Sequence, residues 1–316
     1  MVVYDENRLF NFFNFWIVVM KKIIVLIIFA VSVFPQDAGK TGFAFLKNGF
    51  GARNIALGDF GIAGNSDVTA LNYNPANIAL NPGYRIFVSH NEWIQDIRSE
   101  MVGASFKFLG IPMAAGVNTT SISGIEVRHN PGDAEASFDA QYFFGSLSAG
   151  YAVTDNLFAG ATIKYLYEGI YSDDDSGLAY DFGVTYMNLI DNLELAASVR
   201  NLGSVNKLRN ESTKLPSDFR LGAAYDFDIQ SVASTLKILG GIQKYTEQED
   251  IHFHGGAEVT YSEILSVRLG YITGWESKSI SFGMGVFWNS INFDYAYTPF
   301  DYGLGSGHTI SLMYSF

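Results

Sequence analysis

The chain has 316 residues, of which 15% are aromatic, 32 are glycine and only 16% are charged, with a net charge of −12. That balance argues against nucleic acid as a partner, since phosphates need a basic surface. The lack of cysteine excludes disulfide and thiol chemistry. The length suits one large barrel or two ordinary soluble domains.

Two apolar pieces open the chain, Leu9–Val19 and Ile23–Phe34, with Met20-Lys21-Lys22 between them. From Met20 the order is start, basic pair, apolar core and the small residues Ala30 and Ser32, the pattern of a cleaved bacterial secretory signal. We therefore expect Met20 to be the true start. Residues 1–34 are then an upstream extension plus signal peptide, rather than a signal anchor with two lysines in mid-span. Beyond residue 34 no apolar run reaches the length of a membrane helix. Any crossing of a membrane must then use strands, closed so that no backbone group is left unpaired in hydrocarbon.

Residues 35–82 lack strand alternation. Gly51, Gly58, Gly61 and Gly64 are followed by a plausible short helix. Asn65 or Ser66 is placed to cap it, Asp67 lies near its positive end, and Pro75 would stop or bend it. Arg53, if buried, needs a carboxylate partner.

From Tyr84 the chain reads as strands. The order is Tyr84–Glu92, Met101–Phe108, Met113–Asn118, Ser137–Val153, Leu157–Tyr167, Leu178–Tyr186, Leu193–Asn201, Phe219–Phe227, Ala233–Tyr245, Ile251–Tyr261 and Ile264–Trp275, then three more to Phe316. The last three show the period best. Ile280, Phe282, Met284, Val286 and Trp288 alternate with small residues; Ile291, Phe293, Tyr295 and Tyr297 alternate with Asn292, Asp294, Ala296 and Thr298. One face is bulky and the other small or polar, as in a barrel with lipid outside and a polar lumen. Short connections alternate with longer polar ones, among them Ser121–Ala136, Glu168–Gly177 and Leu202–Pro216. Short periplasmic turns and long external loops follow that rule. We expect an all-β fold: a transmembrane antiparallel up-and-down barrel of about 14 strands over residues 83–316, with a small N-terminal hatch containing a short helix at 35–82.

The alternation turns Lys107, Lys164, Asp181, Glu194, Arg200, Arg220, Asp226, Lys237, Glu258, Arg268 and Asp294 into the lumen. Paired charges holding a plugged interior are the expectation, ahead of a solute path with a selectivity lining. His252 and His254 share a strand face, but without a third ligand they read as ordinary lumen residues. Asp173-Asp174-Asp175 lacks the spacing of a calcium loop. His90, His129 and His308 sit in no nucleophile motif, so no catalytic, cofactor or metal site is expected and the chain reads as a non-enzyme. Trp93, Tyr171, Trp275, Phe300 and Tyr302 are possible external contacts or rim anchors.

The run Gly51-Ala52-Arg53, Leu57-Gly58, then Asp67-Val68-Thr69-Ala70-Leu71-Asn72-Tyr73-Asn74-Pro75-Ala76 resembles the signature of the PorV/PorQ family of FadL-like outer-membrane barrels. The chain's end on Phe316 is similar to theirs. It departs from the family's pattern at Asn77, where glycine is usual, and at Leu57-Gly58-Asp59, where Met-Gly-Gly is usual. The resemblance implies a hatch built on Gly51, Arg53, Gly58, Asp67, Asn74, Pro75 and Ala76. It also implies outer-membrane lipid as surroundings and a role in type IX secretion, binding secreted cargo proteins beside translocon subunits. The alternative is a FadL-like channel for hydrophobic small molecules.

Overall fold

A computed structural model describes residues 41–316, apart from 129, 131, 172, 209, 210 and 213 and the side chains of 207, 208, 211 and 212. The expected signal segment lies outside the described residues, as does His129.

The strands are β1 (Arg85–Glu92), β2 (Ile97–Phe108), β3 (Ile111–Val127), β4 (Ala136–Ala152), β5 (Leu157–Ile170), β6 (Asp173–Met187), β7 (Leu193–Val205), the short β8 (Lys207–Leu208) and β9 (Glu211–Ser212), β10 (Asp218–Ile229), β11 (Ser234–Tyr245), β12 (Ile251–Tyr261), β13 (Leu265–Ile272), β14 (Ile280–Trp288), β15 (Ile291–Pro299) and β16 (Ser306–Ser315). Fourteen of them close into one antiparallel barrel, and β8 pairs with β9 in the connection between β7 and β10. Closure comes from β1 against β16, with Arg85 opposite Ser315 and Glu92 opposite His308. No sheet edge is left open, which is what strands in hydrocarbon require.

The alternation has the expected direction. Ile280, Phe282, Met284, Val286 and Trp288 point outward and exposed, while Ser281 and Gly285 are buried in the lumen. Inward positions that break the rule of small or polar lumen residues include Phe87, Met101, Phe144, Leu166 and Leu239, all buried. Each packs in an apolar cluster with the N-terminal segment.

That segment lies within the barrel. A 3-10 turn at Ala44–Lys47, a helix at Ala52–Ala56, a second at Ala70–Tyr73 and a 3-10 turn at Pro75–Ala79 follow one another. Only one helix was expected, and neither Asn65 nor Ser66 caps it. Thr69 is its N-cap and makes no side-chain capping bond. Asp67 Oδ1 instead accepts from Thr69 N at 2.7 Å and Thr69 Oγ1 at 2.6 Å, closing a tight turn ahead of the helix. The helix stops at Tyr73. Asn74 is extended (φ −154°), as the residue before proline tends to be, and its Oδ1 accepts from Ala76 N at 3.1 Å.

Two expected loops are largely strand. Pairing continues to Val127 opposite Ala136, past a register shift between Ile122 and Ile125, and to Ile170 opposite Asp173. The acidic triplet Asp173–Asp175 is therefore strand, with Asp175 opposite Glu168. These hairpins project past the apolar band. Without a lipid face they keep backbone pairing but lose the hydrophobic alternation that marks a strand in sequence. The β5–β6 connection is thus only residues 171–172, and short and long connections do not alternate strictly.

Candidate functional site

The barrel wall carries a belt of glycines where the hatch touches it. Gly103 pairs with Gly116, Gly160 with both Gly150 and Gly183, Gly222 with Gly241, and Gly256 with Gly270. Side chains added there would press into Val68 and Leu71, into Asn74, Pro75 and Ala76, into Phe60, and into Leu57 and Gly58, respectively. The wall is thinned so that the hatch backbone can approach it closely, a use of glycine that depends on space alone. Gly58 has φ +75°, and a Cβ there would also meet the carbonyl oxygens of Gly255 and Tyr271.

Between the belt contacts, buried charges tie hatch to wall. Arg53 donates through Nε to Glu258 Oε2 (2.9 Å) and through Nη2 to Oε1 (2.7 Å). Burial opposes its charge, but Glu258 outweighs that and holds the guanidinium protonated. Across the β12–β13 ladder, Arg268 stands opposite Glu258. It donates to Glu258 Oε2 (2.5 Å) and to Asp294 Oδ1 (2.6 Å). Gly285 leaves room for that guanidinium, since a Cβ would run into it. Two arginines and two carboxylates thus neutralise one another out of water, with a fork geometry suited to bidentate pairing.

A second cluster links Arg200, Asp218 and Arg220. Arg200 donates to both Asp218 oxygens (3.2 and 2.6 Å) and to the Asn72 carbonyl of the hatch (2.6 Å), while Arg220 Nε donates to Asp218 Oδ1 (3.0 Å). Lys164 pairs with Asp181 at 2.6 Å and donates to Asn201 Oδ1 at 3.0 Å. Glu194 Oε2 accepts from Gly64 N at 2.9 Å, and Asp226 pairs with Lys237 at 3.2 Å. Lys107 has inward parity but lies at an exposed strand end.

Most motif residues lie at these contacts, while Asp67 bonds within the hatch to Asn65 and Thr69. Gly51 (φ +80°) caps the Ala52–Ala56 helix. Asn74 Nδ2 donates to Thr185 Oγ1 (2.9 Å), and Asn77 shares the Thr185 hydroxyl through a short hydrogen bond. The departure at Asn77 is therefore a wall contact. The sequence reading missed Asp218 and Asn201. Asp218 lies two residues before Arg220 on the same face, so extending the alternation backward would have found it. Asn201 has φ +56° beside a bulge between Tyr180 and Phe182, which no local pattern shows.

Beside the Lys164–Asp181 pair, with Lys164 Nζ 6.0 Å from the Phe144 ring centroid, is an apolar cluster. Phe43, Phe45, Leu46 and Phe50 of the hatch meet Phe144, Leu166 and Leu215, with Tyr142 and Val205 at its margin. Phe50 and Phe144 pack edge to face with centroids 5.4 Å apart.

The proposed external aromatics divide. Tyr171 and Tyr302 are exposed, 73% and 79%. Trp93 is not: it is 8% exposed and packs on Phe300 and the hatch residues Ala52, Ile55 and Ala56. Its position at the end of β1 suggested rim exposure, but the lumen mouth offers it an apolar partner. Trp275 is half-buried against His252. His254 Nδ1 donates to the Gly58 carbonyl at 2.7 Å, so this histidine positions the hatch. Among the described residues no group of three His, Cys, Asp or Glu could hold a metal ion.

Similar structures share this architecture. The Pseudomonas putida toluene transporter TodX aligns at TM-score 0.60 and 14% identity, covering 85% of this chain and 98% of that one. A Pseudomonas aeruginosa FadL homologue aligns at TM-score 0.50 and 11% identity, over 81% and 95%. At those identities the likeness is one of fold. No family model matches the chain, and no curated protein matches it in sequence.

Proposed function

We propose that this chain is an outer-membrane barrel for the passage of hydrophobic small molecules, closed at rest by its hatch. The observation that carries the reading is the apolar compartment inside the lumen. A path for hydrophilic solutes needs polar lining, yet Phe43, Phe45, Phe50, Phe144, Leu166 and Leu215 gather on one side of the hatch. A lining of that character suits an apolar ligand once the hatch side chains that fill it are drawn aside. Most of the lumen charges are paired with one another, so they offer little to a passing ion. The likeness of fold to a toluene transporter and a FadL homologue supports the same reading. Phe316, whose N–H donates to the Tyr84 carbonyl just ahead of β1, and most of the shorter turns would then face the periplasm, and the projecting hairpins the exterior.

A second reading, cargo binding in type IX secretion, keeps the support of the Gly51 to Ala76 motif and of the projecting β3–β6 hairpins. Purification from native membranes separates the two. Recovery of an apolar small molecule that Phe144→Arg abolishes supports passage. Recovery of secreted proteins or translocon subunits, with no such ligand, supports secretion and overturns the first reading.

A further inference from the structure

The external mouth holds a lysine in an unusual setting. Lys278 lies in the connection between β13 and β14, and its Nζ sits 5.0 Å from the Trp93 ring centroid and 5.1 Å from that of Trp275. Two indole faces around an ammonium form half an aromatic cage. Among the described residues Lys278 makes no hydrogen bond or ion pair; the two indole faces are its close contacts. Both indole N–H groups are buried without a partner, and Trp93 itself is 92% buried, taken from its 8% exposure.

Beneath the cage is Asp59, one of the positions where this chain departs from the PorV/PorQ pattern. It is buried, adopts a left-handed backbone (φ +56°) and accepts from the Tyr73 hydroxyl at 2.8 Å. Asp59, Trp93 and Lys278 line one cavity of about 10 Å³, room for about one water. The carboxylate attracts the ammonium across that gap without a direct ion pair. The cage therefore has a cation, aromatic walls and a counter-charge at its floor.

The surrounding charge has the same sign of preference. The external segments 92–100, 126–139, 168–175, 206–217, 244–250, 276–278 and Asp301 carry seventeen carboxylates against seven lysines and arginines. The opposite end has five against three over residues 85, 107, 155, 191, 226, 228, 237 and 263. An acidic mouth raises the local concentration of cations and lowers that of carboxylates.

We propose that the Trp93–Trp275 cleft recognises the ammonium group of an external ligand, a small organic cation with an apolar substituent, and that Lys278 is a tethered stand-in for it. A ligand ammonium would displace the lysine head, which can swing into solvent on its four-carbon stem. This deepens the reading of hydrophobic passage by giving the molecule a charged head. The binding step is nevertheless measured without transport.

The test titrates full-length mature protein in detergent with benzyltrimethylammonium, and with phenylpropionate as an anion of similar size, following tryptophan fluorescence. Lys278→Met removes the tethered competitor and keeps the stem. We expect saturable binding of the cation that tightens about tenfold in Lys278→Met, weakens about tenfold when Asp59→Asn is added and is lost with Trp275→Ala added. The anion should give no saturable response. Heat-modifiable gel mobility checks that each barrel has folded, and Trp275→Phe, which keeps an aromatic face, should retain binding. Equal binding of the anion, or no tightening in Lys278→Met, or no saturable cation response in either protein, overturns the proposal. Cation binding without passage of apolar molecules would count against the transport reading alone. Passage without cation binding would count against this one alone.

Discussion

The two ends of the hatch are held by different physics. The first helix, Ala52–Ala56, reaches β12, β13 and β15 through the Arg53–Glu258–Arg268–Asp294 quartet, where opposite charges meet out of water. The second stretch, Asn74 to Ala79, lies on Gly150, Gly160 and Gly183 with almost no charge, held by amide side chains and by closeness of backbone to wall. A charged anchor is strong only while complete, because losing one partner strands the other. A shape anchor gives way gradually, because each added atom costs what the neighbours must move to accept it. A hatch that moves should therefore release from the glycine side first.

Breaking the charged end should give the largest effect. Glu258→Ala leaves Arg53 and Arg268 facing one another with only Asp294 to compensate, and should destabilise the protein by about 3–5 kcal/mol in denaturant refolding. Arg53→Ala combined with Glu258→Ala should recover part of that loss. Strict additivity of the two would show that they do not act as a unit.

The outer face supplies a control of similar chemistry and opposite logic. Arg268 is 1% exposed and points inward, while its neighbours Val267 and Leu269 are 60% and 52% exposed and point outward. Leu269→Arg puts the same guanidinium into hydrocarbon without a partner and should cost about 2–4 kcal/mol, measured the same way. A negligible cost would mean that this face is not in lipid.

The shape end should respond less. Gly160→Ala places a methyl against Pro75 and Ala76 and should cost about 1–3 kcal/mol. Its more telling readout is liposome swelling, where we expect small sugars to enter faster than through the parent. Unchanged permeability would mean that the hatch does not release there. Asn74→Ala should cost about 1–2 kcal/mol by leaving the Thr185 and Val184 contacts unmet. Smallest of all, Tyr302→Ala at the exposed rim should stay within about 0.5 kcal/mol.

Much of the architecture was legible in the residues themselves. Alternation over Ile280 to Phe316 has only one reading for a wall with lipid on one side, because a strand's side chains have no choice but to alternate. Strand number and most of the inward charges followed from that rule applied fourteen times. It failed where the environment changes along a strand. Past the apolar band the β3–β4 and β5–β6 hairpins lose their lipid face, so Ser121–Val127 and Asp173–Gly177 carry no hydrophobic alternation to read.

Pairing and occupancy were decided only in three dimensions. The alternation puts Glu258 inside but does not select Arg53 from 205 residues away as its partner, because that choice depends on how barrel closure brings β12 to the hatch. Nor does it explain Phe144 or Leu166, which break the pattern of a polar lumen until the hatch is seen lying against them. Local periodicity determines which way a side chain faces, since that is set by backbone geometry one residue at a time. What it then meets is set by closure of the whole wall around a segment with no period of its own.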